Sequence, residues 1–174
     1  MNNCSVQRYS VCFVLLLLLF FTASNTHAQA NQEALKLANN FTAALKNTAD
    51  SAIFVCLPGT DELKQLVEVN NKKNSPALTN SDSILYEIKS GLIKNYRQIK
   101  TKLTSLHFLL DSVKVQTVEL KFLPRELEGI DKANIIVSYS DGMHEFTVQF
   151  RHCFYMNHQW YLTDHIVWLA PADR

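Results

Sequence analysis

Apolar residues recur at helical spacing through the first half of the chain. Thr60, followed by Asp61 and Glu62, marks the start of one short helix. Upstream of this helix, a stripe of apolar residues at helical spacing predicts another helix between residues 31 and 47. The stripe consists of Leu35, Ala38, Phe41 and Leu45. A longer stripe predicts a helix from about residue 82 to about residue 108 and consists of Leu85, Ile88, Leu92, Tyr96, Ile99, Leu103 and Leu106.

The second half of the chain alternates apolar and polar residues with a period of two. This pattern predicts four strands, at residues 113–123, 135–140, 143–156 and 159–169. Asp141-Gly142 and Asn157-His158 are typical of two-residue hairpin turns. Helices first and a meander of strands afterwards predict an α+β fold. In this fold the N-terminal helices, including the long one, pack on one face of a four-stranded antiparallel sheet.

The N-terminal segment has the features of a cleavable signal peptide. Arg8 is the one charged residue of the first ten, residues 11–21 are almost entirely apolar, and a polar stretch ends in Ala28-Gln29-Ala30. The apolar run falls well short of the ~20 residues that span a bilayer, so we predict no membrane anchor after cleavage. We expect a signal peptide over residues 1–30, a single domain over residues 31–174, and a periplasmic or secreted protein.

Charge and motifs exclude several classes of function. The chain has 17 Lys and Arg and 16 Asp and Glu, and removal of Arg8 with the signal peptide leaves equal numbers. A balanced surface lacks the basic footprint of a nucleic-acid-binding protein. No spacing of residues matches a catalytic or metal-binding motif, so we predict no cofactor, no metal and no nucleic-acid partner.

Two cysteines remain after cleavage, Cys56 and Cys153. An exported chain meets an oxidising compartment, where these two residues can form a disulfide. The alternative is two separate buried thiols that behave as small apolar residues. Spacing along the chain does not decide between the two arrangements, because a bridge requires the Cα atoms to lie within about 7 Å.

The two predicted turns also predict a cluster of polar residues on the sheet. In the resulting register His152 lies opposite Thr163 and Phe150 lies opposite His165, all on the face that the helices cover. Imidazoles in a pocket there could act as general acid or base, and the candidate residues are Tyr96, Tyr139, His152, Thr163 and His165. The alternative is core histidines with hydrogen-bond partners. Two histidines alone make a poor zinc site.

The opposite face of the same strands carries a second candidate surface. Trp160, Ile166 and Trp168 fall there, beside a cross-strand pair of Arg151 and Asp164. Large exposed apolar groups often mark a contact surface, so this face is a candidate for docking a partner protein. The alternative is that other segments of the chain cover it.

Two stretches resemble the NTF2-like (cystatin-like cone) superfamily. Phe41-Thr-Ala-Ala-Leu-Lys-Asn-Thr-Ala-Asp50 resembles its first helix, and Phe150-Arg-His-Cys-Phe-Tyr-Met-Asn-His-Gln-Trp-Tyr-Leu-Thr-Asp164 resembles its last hairpin. The resemblance implies a curved sheet around the long helix with a pocket between them. Enzymatic members place an acid/base pair and a tyrosine in that pocket. Tyr139, His152 and His165 share the expected face, whereas Asp164 points away, which argues against an isomerase mechanism.

We therefore expect an exported NTF2-like domain that binds a small apolar ligand or a partner protein, with no evident catalysis. One alternative is a lyase or isomerase that uses His152 or His165 as its base. Another is a cystatin-like inhibitor or structural module that docks through the face of Trp160 and Trp168. A homodimer is compatible with each of these.

Overall fold

The computed structural model describes residues 28–72, 81–125, 129–163 and 165–169. Most of the predicted signal peptide, residues 1–27, lies outside them. A helix over residues 28–46 (α1) is followed by a 3-10 segment (Asp50–Cys56), α2 (Thr60–Lys72), α3 (Ser81–Ser105) and a 3-10 turn (Leu110–Ser112). The strands are β1 (Lys114–Phe122), β2 (Asp131–Ser140), β3 (Glu145–Met156), β4 (Gln159–Tyr161) and β5 (Ile166–Leu169). Each paired strand is antiparallel to its neighbour, which confirms the predicted α+β class. None of the described helices is both long and apolar enough to cross a membrane.

The core forms where α1 meets α3 and the sheet. Phe41 of α1 is fully buried, and its ring contacts Tyr96 of α3, Tyr139 of β2 and Phe150 of β3, with ring centroids 5.1–6.1 Å apart. Leu92 and Tyr96 are fully buried, as the long stripe predicted. The stripe extends less far than predicted, because α3 ends at Ser105 and the next residue of the stripe, Leu106, is 46% exposed.

The hairpin between β2 and β3 has a longer turn than predicted. Ser140 pairs with Glu145, so four residues, 141–144, form the loop instead of two. The shift in register is even, so side chains stay on their predicted faces. Tyr139 and Phe146 lie on the core side, where they stack with ring centroids 5.0 Å apart. The carboxylate of Asp141 holds this loop, because it accepts hydrogen bonds from the backbone N–H groups of Met143 and His144.

A β-bulge interrupts β3 after Arg151. Ile135 pairs with Phe150, but Ala133 pairs with Cys153, so β3 has one more residue than β2 over this stretch. His152 takes the left-handed conformation, with φ at 54°, which lets a bulge re-aim the strand. Beyond this point the predicted alternation is wrong: Cys153 is fully buried and Phe154 is only partly buried.

The predicted last strand is split in two. The tight turn at Asn157-His158 is confirmed, since Met156 pairs with Gln159 and both turn residues have positive φ. Residues 162, 163 and 165 lie outside the strands, and Phe150 pairs with Ile166 instead of His165. This slip of one position reverses the faces of the last strand, so Ile166 is buried and His165 is exposed.

Candidate functional site

His152 and His165 lie side by side, as the sequence predicted. Their ring centroids are 6.0 Å apart and the rings meet edge to face at 83°. Both side chains are exposed. The prediction that they share the helix-covered face is therefore wrong, because the bulge at His152 and the break before β5 turn both residues outward.

The two imidazoles line a groove of about 580 Å³ on the protein surface. Its volume falls in the range of small-molecule sites, which typically measure about 300–1,000 Å³. Three apolar side chains and four polar ones converge on it, namely Leu123, Pro124, Phe154, Lys132, His152, Thr163 and His165. The ammonium of Lys132 lies 5.6 Å from the centroid of the Phe154 ring, a distance at which cation and ring attract each other. The groove thus combines an apolar wall with hydrogen-bonding groups.

Backbone contacts around the bulge position the groove residues. The backbone N–H of His152 donates to Oδ1 of Asn134 at 3.1 Å, which fixes the extra residue of β3. Arg151 is held on both sides: its N–H donates to the carbonyl of His165 at 3.0 Å, and its carbonyl accepts the hydroxyl of Thr163 at 3.1 Å. The irregular segment after β4 is therefore fastened to the bulge.

Tyr96 and Tyr139 belong to the core and not to this groove. The hydroxyl of Tyr96 donates to the carbonyl of Ala44 at 2.6 Å, and that of Tyr139 faces the carbonyl of Ala38 at 3.5 Å. Burial, followed by the charge of Asp50, raises the pKa of Tyr96 to about 12, and burial raises the pKa of Tyr139 well above its usual value. The five predicted residues therefore do not form one pocket. Two satisfy helix carbonyls inside, and three line the groove outside.

The predicted partner surface is covered by the chain itself. Trp160 is fully buried and its indole N–H donates to the carbonyl of Ala30 at 2.9 Å. Ile166 is buried, and Trp168 is half-buried, stacked on Phe146 with centroids 5.4 Å apart. The prediction that these three residues are exposed is wrong for two reasons. The bulge in β3 reverses the faces of the hairpin that carries Trp160, and the register slip before β5 turns Ile166 and Trp168 toward the core. The alternative, that other segments of the chain cover this face, holds for Trp160, which contacts Ala30 of α1.

The two cysteines are both fully buried in the main core cluster, as thiols. Burial raises the pKa of Cys56 to about 12 and raises that of Cys153 further. The disulfide between them stays a prediction. The predicted pairing of Arg151 with Asp164 concerns a residue outside the described ranges, and the guanidinium Nε of Arg151 donates to Oε1 of Gln149 at 3.1 Å.

The structure has a second groove, of about 620 Å³, that the sequence analysis did not predict. It runs along the outer side of α3 and is lined by Phe54, Tyr86, Lys89, Ser90, Ile93, Lys94 and Arg97. The basic residues that recur along α3 are the feature of the sequence that could have indicated this groove. Two of its cations are engaged within the chain, since Arg97 pairs with Asp50 at 2.6 Å and Lys89 lies 5.3 Å from the centroid of the Phe54 ring. Its lining contains no imidazole, so it is the weaker candidate for the hydrogen-bonding site that the sequence predicted.

Within the described residues, no group of three or more His, Cys, Asp or Glu side chains could hold a metal ion. No protein-family model, curated protein or solved structure matches the chain. The candidate site consequently rests on its own geometry.

Proposed function

We propose that this protein is an exported domain that binds a small ligand in the groove of His152 and His165 and does not catalyse a reaction. The observation that carries the proposal is the convergence of Thr163 and both imidazoles with an apolar wall in one groove of about 580 Å³. A small molecule with an aromatic or aliphatic body and a polar group fits this lining. The apolar body would pack on Phe154, and the polar group would meet the imidazoles.

Exposure favours binding over catalysis. General acid–base catalysis by histidine gains from a site that excludes water, where the charges of the transition state are stabilised by fixed groups. His152 and His165 are both exposed side chains in an open groove. Such groups are suited to hydrogen bonding with a ligand, and the lyase or isomerase alternative loses its enclosed pocket.

The interior offers less support for a ligand site than the groove does. At the junction of α1, α3 and the sheet, Phe41, Tyr96 and Tyr139 are fully buried and in contact with one another. Kinship with the NTF2-like superfamily remains part of the proposal, supported by the order of helices and antiparallel strands. If the protein belongs to this superfamily, its ligand site lies in the surface groove of His152 and His165 and not in the pocket between the long helix and the sheet. The inhibitor alternative loses its docking face, because Trp160 and Ile166 are buried.

A fluorescent probe tests the groove directly. 8-Anilinonaphthalene-1-sulfonate has an aromatic body and one polar group, so we expect it to bind the wild-type protein with a rise in fluorescence. Replacing His152 with Gly removes one imidazole and leaves a residue that adopts positive φ without strain. The expected result is about a five-fold increase in Kd, the loss of one contact worth ~1 kcal/mol.

His107→Gly is the matched control, because His107 is also exposed and also has positive φ, at 61°, but lies outside the groove. This variant should bind the probe as the wild type does. Equal binding by the wild type, His152→Gly and His165→Ala would contradict the proposal. Native mass spectrometry of the same preparation would reveal a co-purified ligand and the number of subunits.

A further inference from the structure

Ala30 is built into the folded domain, although the A-x-A motif places it on the side of the signal peptide that is removed. Its carbonyl accepts the indole N–H of Trp160, with 2.9 Å between Nε1 and O. Trp160 is fully buried and Ala30 is only 5% exposed. A buried donor that loses its acceptor destabilises the fold, because the donor gave up its hydrogen bonds to water on folding and then has no protein partner in their place.

The buried face of α1 also extends back to this residue. It follows helical spacing without a break, through Ala30, Ala34, Leu37, Ala38, Phe41, Ala44 and Leu45. One position upstream, Nε2 of Gln29 lies 3.4 Å from Nδ1 of His158, in the turn between β3 and β4. The start of α1 therefore contacts the last hairpin at two points, Gln29 and Ala30.

Cleavage after Ala30 would break the contact with Trp160. Hydrolysis of that amide converts the carbonyl of Ala30 into the carboxylate of the released peptide and leaves an ammonium on Asn31. The indole N–H of Trp160 would then be buried without its acceptor. A second pair of small residues stands two positions upstream, where Thr26 and Ala28 occupy the −3 and −1 positions of a small-x-small pattern.

We infer that the signal peptide is removed after Ala28, so that the mature chain begins at Gln29. This inference rests on the export that the proposed function includes. In the cleavage, water adds across the amide: the carbonyl carbon of Ala28 takes the hydroxyl and becomes a carboxylate, and the nitrogen of Gln29 becomes an ammonium. The carbonyl of Ala30 stays in the chain and keeps its hydrogen bond.

Export of the full chain in a Gram-negative host tests the inference, with the intact mass of the periplasmic protein as the measurement. A mass that corresponds to a chain starting at Gln29 supports it. A chain starting at Asn31 overturns it and leaves the proposed export standing. A periplasmic chain that keeps Met1 overturns this inference but not the export. A chain that stays in the cytoplasm overturns the proposed export and this inference with it.

A pair of variants in the signal peptide gives a second readout. Thr26→Lys places a long charged side chain at the −3 position of the inferred site and leaves Ala28-Gln29-Ala30 unchanged. We expect the product starting at Gln29 to disappear, replaced by uncleaved chain or by cleavage at another position. Ser24→Lys adds the same charge outside both small-residue pairs and should be processed as the wild type is. An unchanged product from Thr26→Lys would overturn the inference.

Discussion

The two halves of β3 belong to one strand but have different surroundings. From Glu145 to Phe150 every second side chain is buried, and these inward residues, Phe146, Val148 and Phe150, join the main core. From Cys153 to Met156 the strand follows the opposite phase. Cys153 points into the main core, whereas Met156 packs in a second, smaller cluster with Ile130 and Tyr161. Alternation along a strand therefore predicts a buried face only as far as the ladder of hydrogen bonds is unbroken.

The break between the halves is also where the candidate site forms. An extra residue in a strand leaves the ladder and re-aims its side chain, and such bulges are common beside functional sites. Here the extra residue turns His152 outward, next to His165, at a ring-centroid distance of 6.0 Å. The regular half of β3, from Glu145 to Phe150, packs in the main core. The irregular half, from the bulge at His152 to Met156, contributes His152 and Phe154 to the groove.

We expect the largest loss of stability from changes in the main core, to which the regular half of β3 belongs. Leu92→Ala tests this core from α3, which packs in the same cluster. Leu92 is fully buried in the main cluster. We expect a loss of about 2–5 kcal/mol in the free energy of unfolding, measured with urea, because the truncation leaves a cavity. Leu106→Ala, at a position 46% exposed, should change it by less than ~0.5 kcal/mol. A loss below about 1 kcal/mol at Leu92 would mean that α3 does not pack as described.

The turn that begins β3 should show a clear dependence on pH. Hydrogen bonds from the backbone N–H groups of His144, Leu109 and Met143 hold the pKa of the Asp141 carboxyl well below its usual range. A carboxyl with a lowered folded-state pKa stabilises the protein fully above the unfolded value of about 3.9. Its contribution is lost as pH falls through that value toward the folded-state pKa. We therefore expect Asp141→Asn to lower Tm by several degrees at pH 7 and by progressively less below pH 4.

Thermal unfolding of both proteins between pH 7 and pH 3 measures this difference. Asp111→Asn, at an exposed acid in the preceding 3-10 turn, serves as the control and should leave Tm nearly unchanged. A difference between wild type and Asp141→Asn that stays constant over the whole range would contradict the assignment of the effect to the carboxylate.

The irregular half should respond more weakly in stability and more strongly in binding. Asn134→Ala removes the side-chain oxygen that accepts the N–H of His152 at 3.1 Å. We expect a loss of about 0.5–1.5 kcal/mol in the free energy of unfolding, the usual contribution of one hydrogen bond. Because the bulge loses its fixed geometry, binding of 8-anilinonaphthalene-1-sulfonate should weaken as well. A variant that loses stability while binding the probe like the wild type would separate the bulge from the groove.

Much of the fold could be predicted from local patterns. The helical spacing through Leu92 and Tyr96 located the long helix and its buried side, and the turn at Asn157-His158 followed from its two residues. The core face of β2 and of the first half of β3 was also correct, because the longer turn at Asp141 shifted the register by an even number of residues. Periodicity and turn chemistry act over a few residues, so the sequence by itself carries them.

Contacts between distant residues decided what these patterns could not. The bulge at His152 depends on the side chain of Asn134 in another strand, and the burial of Trp160 depends on a carbonyl of α1, 130 positions away. Each of these contacts gives a hydrogen-bond acceptor to a backbone or indole N–H that would otherwise lack one. The free energy gained by pairing these N–H groups exceeds the cost of interrupting the regular alternation of buried and exposed side chains. The sequence therefore determined which elements form and in what order. Only the tertiary structure decided that Trp160 and Ile166 lie inside and that the two histidines meet outside.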